Sequence, residues 1–234
     1  MDVYESLQKA LDQEYDTVRQ LKESVRSQVS VVRHRASGRW YVLRCFEGNA
    51  DVYRKLLRVS CPHLPQIIEV GERDGKVIVL EEYIQGDTLA FLLEGGLLIP
   101  PQAKDMMRQL CTALWVLHSL GADHRDIKPE NVMVRGDEVV LIDFDASRIY
   151  KLESETDTQI LGTTGYAAPE QYGLSQSDER ADIYALGVLL NIMLTGIHPS
   201  KTLAPGRLGR IVQRCTMMNS HKRYRNVLHL MEAL

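Results

Sequence analysis

The chain concentrates charged and polar side chains in one short connector, which has the sequence HRDIKPEN over residues 124–131. A second acidic sequence, IDFD over residues 142–145, follows a short predicted hairpin. Carboxylate, ammonium and amide groups can carry protons, neutralise negative charge and bind hard cations. Both connectors are therefore candidate sites of chemistry. Acidic loop residues can also merely cap helices, but capping would not explain several motifs in a fixed order.

Further motifs extend this order. The sequence GTTGYAAPE occupies residues 162–170, and single charged residues, Asp182 and Arg223, follow it further along the chain. Together the motifs resemble the catalytic loop, metal-binding loop and activation segment of the eukaryotic-like protein kinases, and most of all the bacterial Ser/Thr kinases. The resemblance covers the chain from Tyr15 to its C-terminus. It implies an α+β, bilobal protein-kinase-like fold, with a small antiparallel β-sheet lobe, a larger mainly helical lobe and a ligand cleft between them.

The resemblance also gives roles to the residues of these loops. Asp126 is expected to accept or orient the proton of the substrate hydroxyl, and Lys128 to steady the γ-phosphate of ATP. Asn131 and Asp143 are expected to supply oxygen ligands for Mg²⁺. Thr163 matches the threonine that hydrogen-bonds the base and the lysine in Ser/Thr kinases. The implied reaction is therefore phosphoryl transfer to Ser or Thr of a protein substrate.

The phosphate loop departs from the family pattern. Aligning Val29 with the valine over the adenine puts Lys22, Ser24 and Ser27 where the family has three glycines. Side chains at these positions make close backbone approach to the phosphates harder, although serine hydroxyls can substitute by donating hydrogen bonds. This loop by itself is therefore no nucleotide motif. Asp145 replaces the third-position glycine of the metal loop, either as an added carboxylate or because Asp tolerates that backbone conformation.

The strand at residues 40–46 departs in the same way. Arg44 replaces the phosphate-binding lysine and Val42 the small residue over the adenine; alternatively, Arg44 is a surface arginine whose stem covers the sheet. The predicted helix at 51–59 lacks the customary glutamate. Because a buried carboxylate needs a partner, we expect Glu81, at a usually apolar position, to pair with Arg44. The residues expected to bind ATP are Val29, Val42, Arg44, Glu82 and Met133.

Other motif residues are expected to regulate the loops or to support them. We expect Arg125 to be buried near the activation segment, where a phosphate placed opposite it would activate the enzyme. Glu170 and Arg223 are expected to form a buried ion pair, and Asp182 to accept backbone hydrogen bonds from the loop at 124. The candidate phosphate acceptors, which can also be ordinary solvated hydroxyls, are Ser154, Thr156, Thr158 and Thr164.

The apolar periodicity indicates the elements that carry these loops. It predicts a helical extension at 1–14, a region of strands with one helix at 15–84 and a mainly helical region at 85–234. The resemblance implies that the last two are a kinase-like N-lobe and a kinase-like C-lobe. Within the C-lobe, a helix at 102–120 has Met106, Leu110 and Leu114 directed inward. A second helix at 181–194 is apolar almost all round, which is typical of a helix buried at the centre of a lobe.

Composition excludes several classes of protein. The 234 residues are 44% apolar and 25% charged, as in a globular protein, and 28 basic and 31 acidic residues give a net charge of −3. No nucleic-acid partner is expected. A local basic excess at residues 19–58 is typical of a solvated face, and the alternative is a surface that recruits acidic peptides, anionic lipid or RNA. Four isolated cysteines, the absence of a signal peptide and the absence of a membrane segment favour a cytoplasmic protein. The sequence does not indicate an oligomeric state.

Three functions fit these observations. The first is an active, ATP-dependent Ser/Thr protein kinase, which the intact residues of the catalytic and metal loops favour. The second is a pseudokinase that binds or scaffolds other proteins, which the altered phosphate loop and Arg44 favour. The third is a small-molecule kinase of related fold, against which the AAPE sequence at 167–170 speaks.

Overall fold

The computed structural model describes residues 2–25, 27–149, 165–172 and 178–234. The chain divides into two compact units, Met1–Gln85 and Gly86–Leu234. The first unit is a β-sheet with two helices, and the second is mainly helical, so the predicted α+β fold class is confirmed. Within the described ranges, no helix combines the length and the apolar character needed to cross a bilayer.

The first unit is built on five antiparallel strands in the order β1-β2-β3-β5-β4. Its elements are α1 (Val3–Glu14), β1 (Tyr15–Glu23), β2 (Ser27–His34), β3 (Trp40–Glu47), α2 (Asp51–Leu56), β4 (Ile67–Arg73) and β5 (Lys76–Glu82). Alternate side chains of β3 are buried, as expected for a strand with one covered face. Helix α1 packs against β4 and buries Leu7. The turn between β4 and β5 has positive φ at Asp74 and Gly75, as a type I′ hairpin requires.

In its described residues, the second unit contains five α-helices and three short strand pairings. Its elements are β6 (Asp87–Thr88), α3 (Leu89–Glu94), α4 (Pro100–Ser119), β7 (Ala122–Asp123), β8 (Val132–Arg135), β9 (Glu138–Leu141), β10 (Arg148–Ile149), α5 (Arg180–Thr195), α6 (Gly206–Cys215) and α7 (Val227–Ala233). Helix α5 is buried on nearly all sides, as predicted. A Cβ on Gly187 would lie 2.4 Å from Cβ of Cys215, so close packing of α5 and α6 needs a glycine there.

Short strand pairings flank both charged connectors of this unit, which are the connector at 124–131 and the metal loop at 142–145. Strand β7, directly before the connector at 124–131, pairs with β10, which follows the metal loop. Strands β8 and β9 form the hairpin between the two connectors, and β6 pairs with β8. Helix α4 packs against this hairpin and turns Met107 inward, whereas Met106 is partly exposed. The expectation that Met106 points inward was therefore wrong by one residue, because the helix is rotated to bury Met107.

Candidate active site

The connector at 124–131 is anchored to the centre of the second unit by Asp182. This carboxylate of α5 is fully buried and accepts the backbone N–H groups of His124, at 2.9 Å, and Arg125, at 2.8 Å. It also contacts Nε2 of His118 at 2.8 Å. Burial alone would raise the pKa of Asp182, but the hydrogen bonds that it accepts from the His118 side chain and from the His124 backbone help to outweigh burial and hold the pKa below its ordinary value. The predicted anchoring role of Asp182 is confirmed.

Two predicted catalytic-loop residues, Lys128 and Asn131, bind the carboxylate of a third, Asp126. Oδ2 of Asp126 accepts hydrogen bonds from Nζ of Lys128, at 2.7 Å, and from Nδ2 of Asn131, at 2.9 Å. The same Asn131 amide also donates to the backbone carbonyl of Asp126, at 2.8 Å. Asp126 and Lys128 keep 16% and 21% of their side-chain surface exposed, so a substrate can reach them. The arrangement leaves the carboxylate and the ammonium partly exposed at the surface of the second unit, whereas Asn131 is buried beneath them.

The metal loop is joined to this connector by backbone contacts. The N–H of Ile142 donates to the carbonyl of Asn131 at 2.9 Å, which brings Asn131 next to the residue that precedes Asp143. Nε2 of His124 contacts the carbonyl of Ile142 at 3.1 Å, and the Phe144 ring lies 5.3 Å from the His124 ring. The two oxygen-bearing side chains predicted to bind a cation therefore belong to adjoining backbone segments.

The protonation state of His124 follows from these contacts. Burial lowers the pKa of His124, so its imidazole is neutral at pH 7. Because a carbonyl only accepts, Nε2 must carry the proton that is donated to Ile142. Nδ1 is then the acceptor for the backbone N–H of Asp126, at 3.4 Å. One neutral imidazole thus connects the metal loop to the backbone of the candidate base.

Backbone strain is concentrated in the same two loops. Among the described non-glycine residues, Asp74, Arg125 and Asp143 have positive φ, and the latter two, at +69° and +70°, belong to the connector and the metal loop. Such conformations persist where surrounding contacts enforce them, and they are common at functional sites. The Asp143 carboxylate also contacts the N–H of Asp145 at 3.5 Å. In the described part of the chain, no group of three or more His, Cys, Asp or Glu side chains is arranged to hold a metal.

In the first unit, the predicted pair of Arg44 and Glu81 is confirmed. Nε of Arg44 lies 2.6 Å from Oε1 of Glu81, and the two residues are 4% and 2% exposed. Arg44 is therefore no surface arginine. In the register of β3 and β5, Val42 is opposite Glu81 and Arg44 is opposite Val79, so the two charges are diagonal neighbours on one face.

The short helix α2 supplies no carboxylate toward this pair. Its buried residues are Val52, Tyr53 and Leu56, and its Asp51 is exposed beside Arg54. The Tyr53 ring packs 5.7 Å from the Phe46 ring of β3. The prediction that the helix lacks the customary glutamate is thus confirmed, and α2 contributes apolar packing instead.

The turn between β1 and β2 uses its serines internally. The hydroxyl of Ser24 donates to the carbonyl of Ser27, at 3.1 Å, and accepts the Ser27 N–H, at 3.0 Å. The two residues are also joined through the Ser24 N–H, at 2.9 Å. The expectation that serine hydroxyls replace the missing glycines toward phosphate is not met by Ser24, because its hydroxyl closes the turn. Lys22 lies on β1 opposite Val29 of β2.

The other residues expected to bind ATP lie on strands. Val29 and Val42 are buried in the sheet of the first unit, on β2 and β3. Glu82 ends β5 and accepts the Gln66 N–H through Oε2 at 3.1 Å. Met133 lies on β8 in the second unit, opposite Val140, and is partly exposed.

The end of the predicted activation segment is fixed by two adjacent side chains. Glu170 pairs with the buried Arg223, with Nη2 to Oε2 at 2.9 Å, which confirms that prediction. Gln171, which the sequence reasoning missed, is buried and bonds to the carbonyl of Arg125 at 3.0 Å. Arg125 is itself buried, as predicted. Thr163 and the candidate phosphate acceptors at 154, 156, 158 and 164 lie outside the described residues.

A second buried acid, also missed, lies beside Asp182. Asp123 of β7 is 2% exposed, and its Oδ1 meets no hydrogen-bond donor in the described ranges. Burial, and then the negative charge of Asp182, raises the pKa of Asp123 to about 7. The sequence signal was an acid at the end of a strand, directly before His124, where an apolar residue would suit the buried surroundings.

Comparison with known proteins identifies the family of the chain. The family model described as protein kinase domain matches residues 15–228. The chain is 41% identical to the serine/threonine-protein kinase PknE of Mycobacterium tuberculosis over 145 residues, which are 61% of this chain and 26% of that protein. It is 32% identical to the serine/threonine-protein kinase pkn2 of Myxococcus xanthus over 154 residues, covering 62% of this chain and 19% of that protein.

A longer match is found in a eukaryote. The serine/threonine-protein kinase cds1 of Schizosaccharomyces pombe is 27% identical over 224 residues, covering 85% of this chain and 48% of that protein. The chain thus spans about a quarter of the length of PknE and about half that of cds1. Because the family model covers most of the sequence and its motifs converge in the structure, the chain belongs to the protein kinase family.

Proposed function

We propose that this protein is an ATP-dependent Ser/Thr protein kinase, which transfers the γ-phosphate of ATP to a hydroxyl of a protein substrate. The observation that carries the proposal is the Asp126 carboxylate, held by Lys128 and Asn131 at the surface of the second unit. The names of the bacterial and yeast relatives, all serine/threonine-protein kinases, support the same reaction class.

Asp126 and Lys128 carry the proton and the charge in this proposal. Phosphoryl transfer depends mainly on positioning and on stabilising negative charge, so the protein needs few covalent steps. Asp126 orients the substrate hydroxyl and accepts its proton, and Lys128 neutralises charge that develops on the transferred group. The contact of Lys128 with Asp126 keeps the ammonium within reach of both groups. Thr163, outside the described residues, would hydrogen-bond the two side chains.

Asn131 and Asp143 are the proposed ligands of Mg²⁺. Their amide and carboxylate oxygens suit a hard cation that keeps few protein ligands and completes its coordination with phosphate oxygens and water. Bound there, Mg²⁺ would neutralise phosphate charge. Asn131 directs its Nδ2 to Asp126, which leaves the opposite side of the amide for its oxygen. These residues fit the cation by the chemistry of their donors.

Val29, Val42 and Met133 are proposed to contact the adenine, Glu82 to lie beside it, and Arg44 to bind phosphate. Arg44 is permanently charged, and its guanidinium can bind anionic oxygens through several N–H groups. The paired Glu81 fixes the position of the guanidinium within the sheet. A cytoplasmic location is proposed as well, because the reaction needs ATP and the four cysteines are free thiols.

The test is the intact mass of the purified protein after incubation with Mg²⁺ and ATP, together with phosphate transfer to a generic Ser/Thr-containing protein such as casein. Asp126→Asn and Asp143→Asn are the matched variants, since each keeps the size of the side chain. We expect phosphate to be gained or transferred by the wild type and reduced at least about 100-fold in both variants.

Transfer by the wild type that survives in both variants would contradict the assignment of these residues. No transfer, together with no thermal shift on adding Mg²⁺ and ATP, would instead favour a binding or scaffolding module. Phosphotyrosine in the product would contradict the proposed acceptor.

A further inference from the structure

Gln171 connects the end of the activation segment to the candidate base. Its side chain is 1% exposed and makes two backbone contacts through opposite ends of its amide. Oε1 accepts the N–H of Ala168 at 2.9 Å, while the Gln171 N–H donates to the Ala168 carbonyl at 2.9 Å, so the turn at 168–171 is closed in both directions. Nε2 donates to the carbonyl of Arg125 at 3.0 Å.

The carbonyl that receives this bond belongs to the peptide unit of Asp126. Because a peptide unit is planar, a bond to the Arg125 oxygen also fixes the orientation of the Asp126 N–H. That N–H faces Nδ1 of His124, and the Asp126 side chain continues from the same unit. Through this bond, Gln171 therefore acts on the backbone that carries the candidate base.

This peptide unit needs restraint because Arg125 is strained. Its φ of +69° lies in the left-handed region, which side chains with a Cβ seldom adopt. Asp182 holds the peptide group before Arg125 by accepting the Arg125 N–H. Gln171 holds the peptide group after Arg125 by donating to the Arg125 carbonyl. Because both peptide groups are held, Arg125 cannot relax its strained backbone by rotating the Arg125–Asp126 peptide.

We propose that Gln171 is a positioning residue, which keeps the Arg125–Asp126 peptide in the orientation that directs the Asp126 carboxylate to the substrate hydroxyl. This inference rests on the proposed kinase function for its activity readout. It predicts that Gln171 affects the rate of transfer and leaves the binding of ATP unchanged, because its amide holds backbone of the connector and of its own turn.

The main variant is Gln171→Glu, which keeps the size of the side chain and an acceptor for Ala168. It replaces the donor facing the Arg125 carbonyl by an oxygen, so two acceptors then face each other. The second variant, Gln171→Met, has no donor and no charge, and it keeps the test usable if a buried glutamate prevents folding.

The chain offers a matched control in Gln109 of α4. Its amide also bridges two backbone groups: Oε1 accepts the Val139 N–H at 2.7 Å, and Nε2 donates to the Asp137 carbonyl at 2.8 Å. It also donates to Asp105 at 3.0 Å, so Gln109→Glu introduces the same kind of repulsion between acceptors, at a partly exposed site beside the hairpin of β8 and β9. Gln109 contacts neither the connector at 124–131 nor the metal loop in these bonds.

Four quantities are measured for each folded variant: kcat, KM for ATP, the midpoint of thermal unfolding, and hydrogen exchange of the peptide covering residues 123–128. We expect Gln171→Glu and Gln171→Met to lower kcat at least tenfold with KM for ATP within twofold of wild type. Exchange at 123–128 should be faster in both. Gln109→Glu should keep kcat within twofold and leave that exchange unchanged, even where its unfolding midpoint falls equally.

Wild-type kcat in the folded Gln171 variants would overturn the inference, as would an equal loss of kcat in Gln109→Glu. Hydrogen exchange separates this result from failure of the proposed function. If the wild type transfers no phosphate, unchanged exchange at 123–128 in the Gln171 variants still refutes the positioning role, and faster exchange still supports it.

Discussion

Replacing Glu81 with leucine removes the carboxylate that faces Arg44 inside the first unit. Arg44 is 4% exposed, so its charge is shielded from water and depends on the protein for compensation. Removing one member of a buried ion pair destabilises a protein by about 3–5 kcal/mol, since the other charge stays buried. We therefore expect Glu81→Leu to lower the unfolding free energy of the first unit by about 4 kcal/mol.

The double variant Arg44→Leu, Glu81→Leu distinguishes this cause from loss of packing. It removes both charges and keeps the interior apolar, and such exchanges are often neutral or stabilising. We expect the double variant to recover most of the stability lost in Glu81→Leu. The control is Asp16→Asn, which weakens an exposed pair with Arg35 and should change the free energy by less than about 1 kcal/mol.

Urea unfolding followed by tryptophan fluorescence can report on this unit alone. The chain has two tryptophans, Trp40 on β3 of the first unit and Trp115 on α4 of the second. In a Trp115→Phe background, the signal comes from Trp40, whose ring lies 5.6 Å from the Tyr83 ring. With a urea dependence of about 2 kcal/mol per M, the expected 4 kcal/mol is a shift of about 2 M in the midpoint. A shift below about 0.5 M, or a double variant as unstable as Glu81→Leu, would refute the reasoning.

Two further predictions concern the second unit. The raised pKa of Asp123, about 7, means that the folded state binds an extra proton between about pH 4 and 7, so stability is lost as pH rises through this window. Thermal unfolding from pH 5 to 8 should therefore show a steeper fall in wild type than in Asp123→Asn, and parallel profiles would contradict this assignment. Gly187→Ala should destabilise the unit by about 1–3 kcal/mol, because the added Cβ overlaps Cys215. Urea unfolding followed by Trp115 in a Trp40→Phe background checks this, and an unchanged midpoint would show that α5 and α6 separate without strain.

The catalytic loop was predictable because its residues are close in sequence. Asp126, Lys128 and Asn131 lie within six positions, so a local turn is enough to bring their side chains together. Asp182 was predictable for another reason: a carboxylate in the middle of an almost wholly apolar helix must find buried hydrogen bonds. Both inferences use chemistry that the sequence displays directly.

The missed residues depend on contacts between distant parts of the chain. Gln171 bonds to the carbonyl of a residue 46 positions earlier, and a backbone carbonyl has no sequence signature. Asp123 resembles an ordinary end-of-strand acid until the fold brings Asp182 beside it. The phase of α4, which buries Met107 and partly exposes Met106, depends on packing against α5 and the hairpin of β8 and β9. The apolar periodicity of the sequence alone is compatible with either Met106 or Met107 facing inward.

In the first unit, where the family motif has changed, the rule that a buried charge must be compensated predicted a contact that motif comparison did not. The residues customary in the family are absent from β3 and α2, so motif comparison predicted only what was missing. The requirement that a buried charge be compensated predicted what replaced it, since Glu81 had no other evident reason to be buried. The pair lies on two hydrogen-bonded strands, and α2 contributes only Val52, Tyr53 and Leu56 to the interior. The position of the guanidinium is therefore set by the register of β3 and β5, and a shift of α2 alone leaves the bond between Arg44 and Glu81 in place.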